Sequence, residues 1–367
     1  MLLHRRSVTN PWARPTATVA AAALGIGLLA GCGSDPADPA DKKGSDAPAA
    51  AAGTFPVTVE HAFGSTKVAK APQRVVSVGY TDDQAVLALG IKPVGMVDQY
   101  PNPPGTSPDI NTQWPWTKDK WGDTRPEVVM NNGDAGPNYE KIAALRPDLI
   151  VAVYSEIDQA AYDKLSKIAP TVGRTKAEKE PFSAPWQDNA VHIAKALGQE
   201  AKGTELVKGI QDKLDAAKKA HPDFANRTAV ALSWYKDSVA PFTTTDVRGR
   251  LVTGIGYKGQ TEIDKIADGK FYTTLSPERM DLVDVDRIFV IADKADQEAL
   301  KKFELFTNLN AVKNGKVSYL LDSEGPAVGA AMSQGTLLSL PYAIDELVTD
   351  VAEPAGDGAR DLRLGVD

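Results

Sequence analysis

An α/β protein of two lobes joined by one long helix is what this sequence predicts, on three observations. Short β-branched runs alternate with capped, apolar-periodic stretches, the pattern of strands buried between helices. A unit of short helix, aspartate and buried strand occurs twice, with eight residues from its glutamate to its aspartate in both copies. A long stretch with one apolar face runs between the copies. The 367 residues, 43% hydrophobic and 24% charged, leave room for two domains on one chain.

Residues 1–31 read as a signal peptide that is removed. Arg5, Arg6 and Arg14 precede a small, mostly apolar, acid-free run over 17–30. The run is shorter than the roughly 20 residues a membrane helix needs. It ends in Leu29-Ala30-Gly31-Cys32, where Cys32 is the chain's only cysteine, so no internal disulfide can form. This motif resembles the lipobox of bacterial lipoproteins, which implies a diacylglyceryl group on the Cys32 thiol and a cell-membrane anchor on the extracytoplasmic face. Two or more buried acyl chains, at about 0.8 kcal/mol per methylene, hold such an anchor. Residues 32–53 are rich in Ala, Asp, Pro, Ser and Lys, without aromatics or periodicity, and read as a flexible tether. Loss of residues 1–31 removes three arginines and no acid, taking the formal charge from −7 to −10 and arguing against nucleic acid as a partner.

The first lobe is expected over 54–198. Arg74-Val75-Val76-Ser77-Val78-Gly79 reads as a strand, and Thr81 with Gln84 opens a capped helix that stops at Gly90. Pro93-Val94-Gly95-Met96-Val97 gives a second strand, followed by an aromatic, proline-rich loop over 100–126. Asn138-Tyr139-Glu140 starts a capped short helix, Pro147 breaks it, and Asp148 leads into the strand Leu149-Ile150-Val151. A helix over about 201–220, with Leu206, Ile210, Leu214 and Ala217 on one face, would span about 30 Å and link the lobes; the connector is set at 199–221. The second lobe follows over 222–352, with a tail over 353–367. There Glu278, the apolar Met280 and Val283, Asp286 and the strand Ile288-Phe289-Val290 repeat the earlier unit.

In this order the chain resembles the iron-siderophore branch of ABC-transporter substrate-binding lipoproteins, with the class III periplasmic-binding-protein-like fold. The resemblance runs over about 55–349. It rests on Pro72-Gln73-Arg74-Val75-Val76, Ala88-Leu89-Gly90-Ile91-Lys92-Pro93-Val94-Gly95, the Asn138-to-Val151 unit, Ile168-Ala169-Pro170-Thr171-Val172 and Ala311-Val312-Lys313-Asn314-Gly315-Lys316-Val317. It implies a monomeric receptor that captures a ferric siderophore, carries no cofactor, catalyses nothing, and delivers its ligand to a permease dimer. It also implies that Glu140 and Glu278, one per lobe, meet arginines of the permease. Both glutamates sit near a helix start, where a carboxylate is favoured.

Binding residues concentrate on loops after strands. Tyr80 and Tyr154 occupy such positions in the first lobe, and Trp234 and Tyr235 in the second. Each ring is read as a cleft face for a bulky chelate, or else as a packing anchor under its loop. Arg248 and Arg250, with Arg125 behind them, are the candidate cations for an iron complex. Trp114, Trp116 and Trp121 are read as a lid, or as anchors of the 100–126 loop. The loop before the Asn-x-Glu motif, Asn131-Asn132-Gly133-Asp134-Ala135-Gly136, lacks the basic residue seen there in hydroxamate-binding relatives, so the siderophore class stays open.

Rival readings are few. A bare metal ion would need clustered ligands, whereas the mature chain has only His61, His192 and His221, far apart in sequence. A heme- or cobalamin-binding protein of the same fold is an alternative, with tyrosine or His61 as the heme ligand, as is a surface sensor or adhesin that does not transport. There is no Gly-x-Ser-x-Gly elbow and no Walker-type loop. Gly254-Ile255-Gly256-Tyr257-Lys258-Gly259 matches the dinucleotide spacing, but only Leu251-Val252-Thr253 precedes it and no apolar-periodic helix follows, so it reads as a turn.

Overall fold

The computed structural model describes residues 53–100, 110–178, 180–322 and 327–352. The signal peptide, Cys32, nearly all of the tether and the 353–367 tail lie outside the described residues. A hairpin of β1 (Val57–His61) and β2 (Gly64–Val68) precedes the first parallel sheet. That sheet contains β3 (Val75–Ser77), β4 (Gly95–Asp98), β5 (Glu127–Asn131), β6 (Leu149–Ala152) and β7 (Thr171–Gly173), in the order β5-β4-β3-β6-β7. The second sheet contains β8 (Thr228–Tyr235), β9 (Ser238–Pro241), β10 (Lys258–Gly259), β11 (Arg287–Ala292) and β12 (Val317–Leu321). Its order is β10-β8-β11-β12, with β9 antiparallel on β8. Every residue of β3, β4, β6 and β7 is buried, as parallel strands covered on both faces must be.

The repeated unit has a physical basis. Asp148, just before β6, accepts hydrogen bonds from the backbone N–H of Gln73 and Arg74 at the entry to the neighbouring β3, at 2.8 to 3.0 Å. Asp286, just before β11, does the same for the N–H of Thr228 at the entry to β8, at 2.7 Å. In each sheet a strand-leading aspartate thus satisfies donors that a strand end would otherwise leave unpaired. The glutamate-led helices differ: Tyr139–Ala144 is α-helical and capped by the Asn138 side chain, whereas Pro277–Val283 is a 3-10 segment kinked at Arg279.

The helix Glu200–Ala220 stands between the two sheets in sequence and buries Ile210, Leu214 and Ala217. Gly254 closes the preceding helix Val247–Gly254, Gly256 turns at φ +119, and Lys258–Gly259 is a strand. The apparent dinucleotide motif is therefore helix, turn, strand, the reverse of the order that motif needs.

One hydrophobic core serves both halves: Trp114, Trp116, Trp186 and Ala190 of the first pack in one cluster with Ile210 and Leu214 of the long helix and with Ala231, Leu251, Met332 and Leu337 of the second. A buried polar knot reinforces it. The Gln84 side-chain oxygen accepts from Trp116 Nε1 at 3.0 Å and from Thr336 Oγ1 at 2.6 Å, and its amide donates to the Gln334 side-chain oxygen. Gln84 lies on the helix Asp82–Ala88 of the first half, and Gln334 ends the helix Val328–Gln334 of the second. No helix among the described residues is long and apolar enough to cross a membrane.

Candidate ligand-binding cleft

In open parallel sheets the strands' carboxyl ends leave a crevice where ligands bind. Here the crevices of both sheets face one cleft of about 520 Å³. Tyr80 follows β3, Tyr100 follows β4, Asn132 follows β5, and Tyr154 and Glu156 follow β6. Across from them are Ser233 near the end of β8, Phe242 after β9, Arg248 of the helix Val247–Gly254, and Asp322 after β12.

Buried aspartates set these side chains. Asp82 accepts from the backbone N–H of Val153 at 2.6 Å and of Tyr154 at 3.0 Å, fixing the turn that presents the Tyr154 ring. Gly79 permits this, because a Cβ there would lie 2.1 Å from Asp82 Oδ2. Asp98 accepts from the Tyr100 N–H at 3.0 Å and from the Asn111 amide at 2.7 Å. Asp246 caps its helix by accepting from the Arg248 N–H, and also grips the Arg248 guanidinium in a fork, Nε to Oδ1 at 2.6 Å and Nη2 to Oδ2 at 2.9 Å. The guanidinium carbon lies 3.5 Å from the Phe242 ring centre. Burial works against the Arg248 charge, but Asp246 outweighs it and the pKa rises further.

Three phenols meet this cleft, and all are pushed towards their neutral form. Burial raises the Tyr154 pKa, with Asp246 adding to it; burial and Asp322 do the same for Tyr100, and burial and Glu156 for Tyr80. Each therefore offers an O–H donor and not a phenolate.

Phe182 completes the aromatic wall, 4.7 Å from the Tyr154 ring and 5.8 Å from Tyr80 by ring centroid. It stands edge-on to Phe271 of the second half at 6.3 Å. Its φ of 68° is left-handed, uncommon for a bulky residue and the kind of strain that collects at binding sites.

Among the sequence candidates, Tyr80, Tyr154 and Arg248 meet in this cleft. The others stand elsewhere. Trp234 alternates to the opposite face of β8, buried against Phe303 with ring centroids 5.1 Å apart, while its neighbour Ser233 takes the cleft face. Tyr235 is 43% exposed at an adjoining rim with Tyr272. Trp114 and Trp116 are not a lid: they stack at 5.1 Å inside the shared core, with Trp114 edge-on behind Tyr100. Trp121 is fully buried beside Leu87 and Met96, so all three tryptophans anchor their segment. Arg125 is exposed and donates to the Gly122 and Thr124 carbonyls of its own loop. Arg250 lines an adjoining recess that shares Tyr154 and Phe182 with the cleft, and donates to the Thr245 carbonyl at 2.6 Å. Glu140 and Glu278 are both exposed, in the first turns of their segments. His61 is buried in the hairpin beside Thr66 and Tyr162, away from the cleft, and burial lowers its pKa to about 4. Among the described residues no cluster of three His, Cys, Asp or Glu side chains could hold a metal.

Sequence reasoning missed Tyr100, Glu156, Phe182, Phe242, Phe271 and Asp322. Tyr100 and Asp322 do carry the signal used for Tyr80, since each stands directly after a strand. Phe182 and Phe271 lie on irregular segments with no periodicity to place them.

Two lobes of parallel sheet, one shared cleft at their strand ends and a long helix between define a two-lobed solute-binding protein. The chain belongs to the periplasmic binding protein family, whose profile matches residues 75–324. It is 28% identical over 299 residues to the probable siderophore-binding lipoprotein YfiY of Bacillus subtilis, covering 77% of this chain and 85% of that one. A periplasmic solute binding protein of Mycobacterium smegmatis superposes with TM-score 0.70 at 31% identity, over 81% of this chain and 97% of its own. PiaA of Streptococcus pneumoniae in complex with ferrichrome superposes with TM-score 0.65 at 28% identity, over 80% and 96%.

Proposed function

We propose that this protein is an extracytoplasmic solute-binding lipoprotein, anchored through Cys32, that holds a ferric siderophore between its lobes and delivers it to an ABC importer. The observation that carries this is the cleft itself: aromatic rings and neutral hydroxyls from both sheets surround one half-buried arginine, in a volume of about 520 Å³, the size of site that takes a small organic chelate. The relative named as a siderophore-binding lipoprotein and the structural neighbour holding ferrichrome support the same ligand class.

Delivery is assigned to Glu140 and Glu278, exposed carboxylates at corresponding places of the two lobes, which would meet cations of the permease pair. Exposed ion pairs add little affinity and mainly set registry. The test is paired. Radio-iron siderophore uptake in cells carrying Glu140→Arg with Glu278→Arg should be abolished, while equilibrium dialysis of the same variant shows unchanged ligand affinity. If uptake persists, or if affinity falls with it, the assignment fails.

A further inference from the structure

The charge around the cleft can be read more finely, on the footing of the ferric-siderophore reading above. Ferric siderophores differ sharply in charge. Trihydroxamate complexes are uncharged, or cationic where a free amine remains, whereas tris-catecholate and citrate complexes are anionic.

Arg248 is the one basic residue among the described residues lining the cleft, and Asp246 already grips it through Nε and Nη2. Its charge is thus matched inside the protein, yet Nη1 and the second Nη2 hydrogen still give it N–H donors to offer. Such a group suits the partial negative charge of hydroxamate or carbonyl oxygens, where a full anionic charge would want an uncompensated cation. Glu156 and Asp322 line the same cleft, Glu156 with an exposed side chain and its Oε2 3.5 Å from the Tyr80 hydroxyl. With the Arg248 charge matched by Asp246, Glu156 adds negative charge at the mouth of the cleft, where it disfavours an anionic complex.

The remaining polar groups are uncharged: the Gln99 and Asn132 amides, the Ser233 and Ser333 hydroxyls and the phenols. These are partners for the amide linkages and methylene spacers of a hydroxamate chain, with the Phe182, Phe242 and Phe271 rings against the spacers.

We infer that this cleft selects uncharged or cationic ferric trihydroxamates and discriminates against anionic ferric catecholates and citrates, with Glu156 as a specificity-determining residue.

The test is equilibrium dialysis of the whole chain in detergent against ferrioxamine B (cationic), ferrichrome (uncharged), ferric enterobactin and ferric dicitrate (both anionic). The two hydroxamates should bind at least about tenfold more tightly than either anionic complex. Glu156→Arg, a change at an exposed position that leaves the core untouched, should narrow that ratio several-fold, and Glu156→Gln should weaken ferrioxamine B more than ferrichrome. Tighter binding of enterobactin or dicitrate complexes, or a ratio unmoved by Glu156→Arg, overturns the charge-selection inference while leaving the ferric-siderophore reading in place. Binding of none of the four complexes overturns that underlying reading.

Discussion

Replacing Gln84 by alanine should cost the whole molecule stability, because one side chain there serves both lobes. Gln84 is 4% exposed. Its oxygen accepts from Trp116 Nε1 and Thr336 Oγ1, and its amide donates to Gln334. Thr336 can fall back on Ser339 Oγ at 3.1 Å, so truncation leaves the Trp116 N–H as the principal orphan. An unsatisfied buried donor costs about 1–3 kcal/mol, and the lost Cγ methylene adds about 0.8 kcal/mol, giving roughly 2–4 kcal/mol in total. Gln84→Leu keeps the stem's bulk and isolates the polar part, at about 1–3 kcal/mol. Urea unfolding of both variants, at unchanged slope, reads these values. Small-angle scattering reads the second consequence: the parent should change little in radius of gyration when a ferric siderophore is added, since the knot and the shared core resist hinge motion. A loss below about 0.5 kcal/mol in both variants would refute the assignment of Gln84 as a bridge.

Two further outcomes follow from the buried aspartates. Burial, then the neighbouring Asp82, raises the Asp83 pKa from 3.8 to about 7. The folded chain then holds a proton that the unfolded chain has released, so this group's contribution falls as pH climbs from about 4 to 7 and is least favourable above 7. Asp83→Asn should accordingly stabilise the protein at pH 8 by about 2–4 kcal/mol and by nothing below about pH 4; an equal effect at both pH values, read by urea midpoints, would count against the burial argument. Gly79→Ala should push Asp82 off the Val153 and Tyr154 amides and weaken siderophore binding by about tenfold, measured by dialysis, a factor that corresponds to about 1.4 kcal/mol. Unchanged affinity would show that Asp82 does not set the Tyr154 ring.

The architecture was legible because period-2 and 3.6 patterns report burial directly. Val75-Val76-Ser77, Leu149-Ile150-Val151 and Ile288-Phe289-Val290 are strands, and Ile210, Leu214 and Ala217 are the buried face of the long helix. Position after a strand found Tyr80 and Tyr154, and a basic turn led to Arg248, although that turn is the start of a capped helix. The same rule failed at Trp234, where one residue's difference in strand phase decides between cleft and core. It failed also for the tryptophans of 110–126, since an aromatic, proline-rich loop looks alike in sequence whether its rings cover a ligand or plug the core. Phe182 and Phe271 come together across the cleft only through tertiary structure, from segments about ninety residues apart.

The core that the two lobes hold in common also bears on how an importer could tell a loaded receptor from an empty one. A receptor that snaps shut announces its cargo by its outline, and the transporter need only accept the closed silhouette. Here the tryptophan pair, the Gln84 knot and the long helix tie the lobes together, and with the small motion expected above that outline would stay nearly constant. Empty and loaded copies would then dock with similar ease, and discrimination passes to the cargo itself at the mouth of the cleft. Surplus empty receptor would then compete for the same docking place, and the ratio of receptor to importer would act as a throttle on uptake.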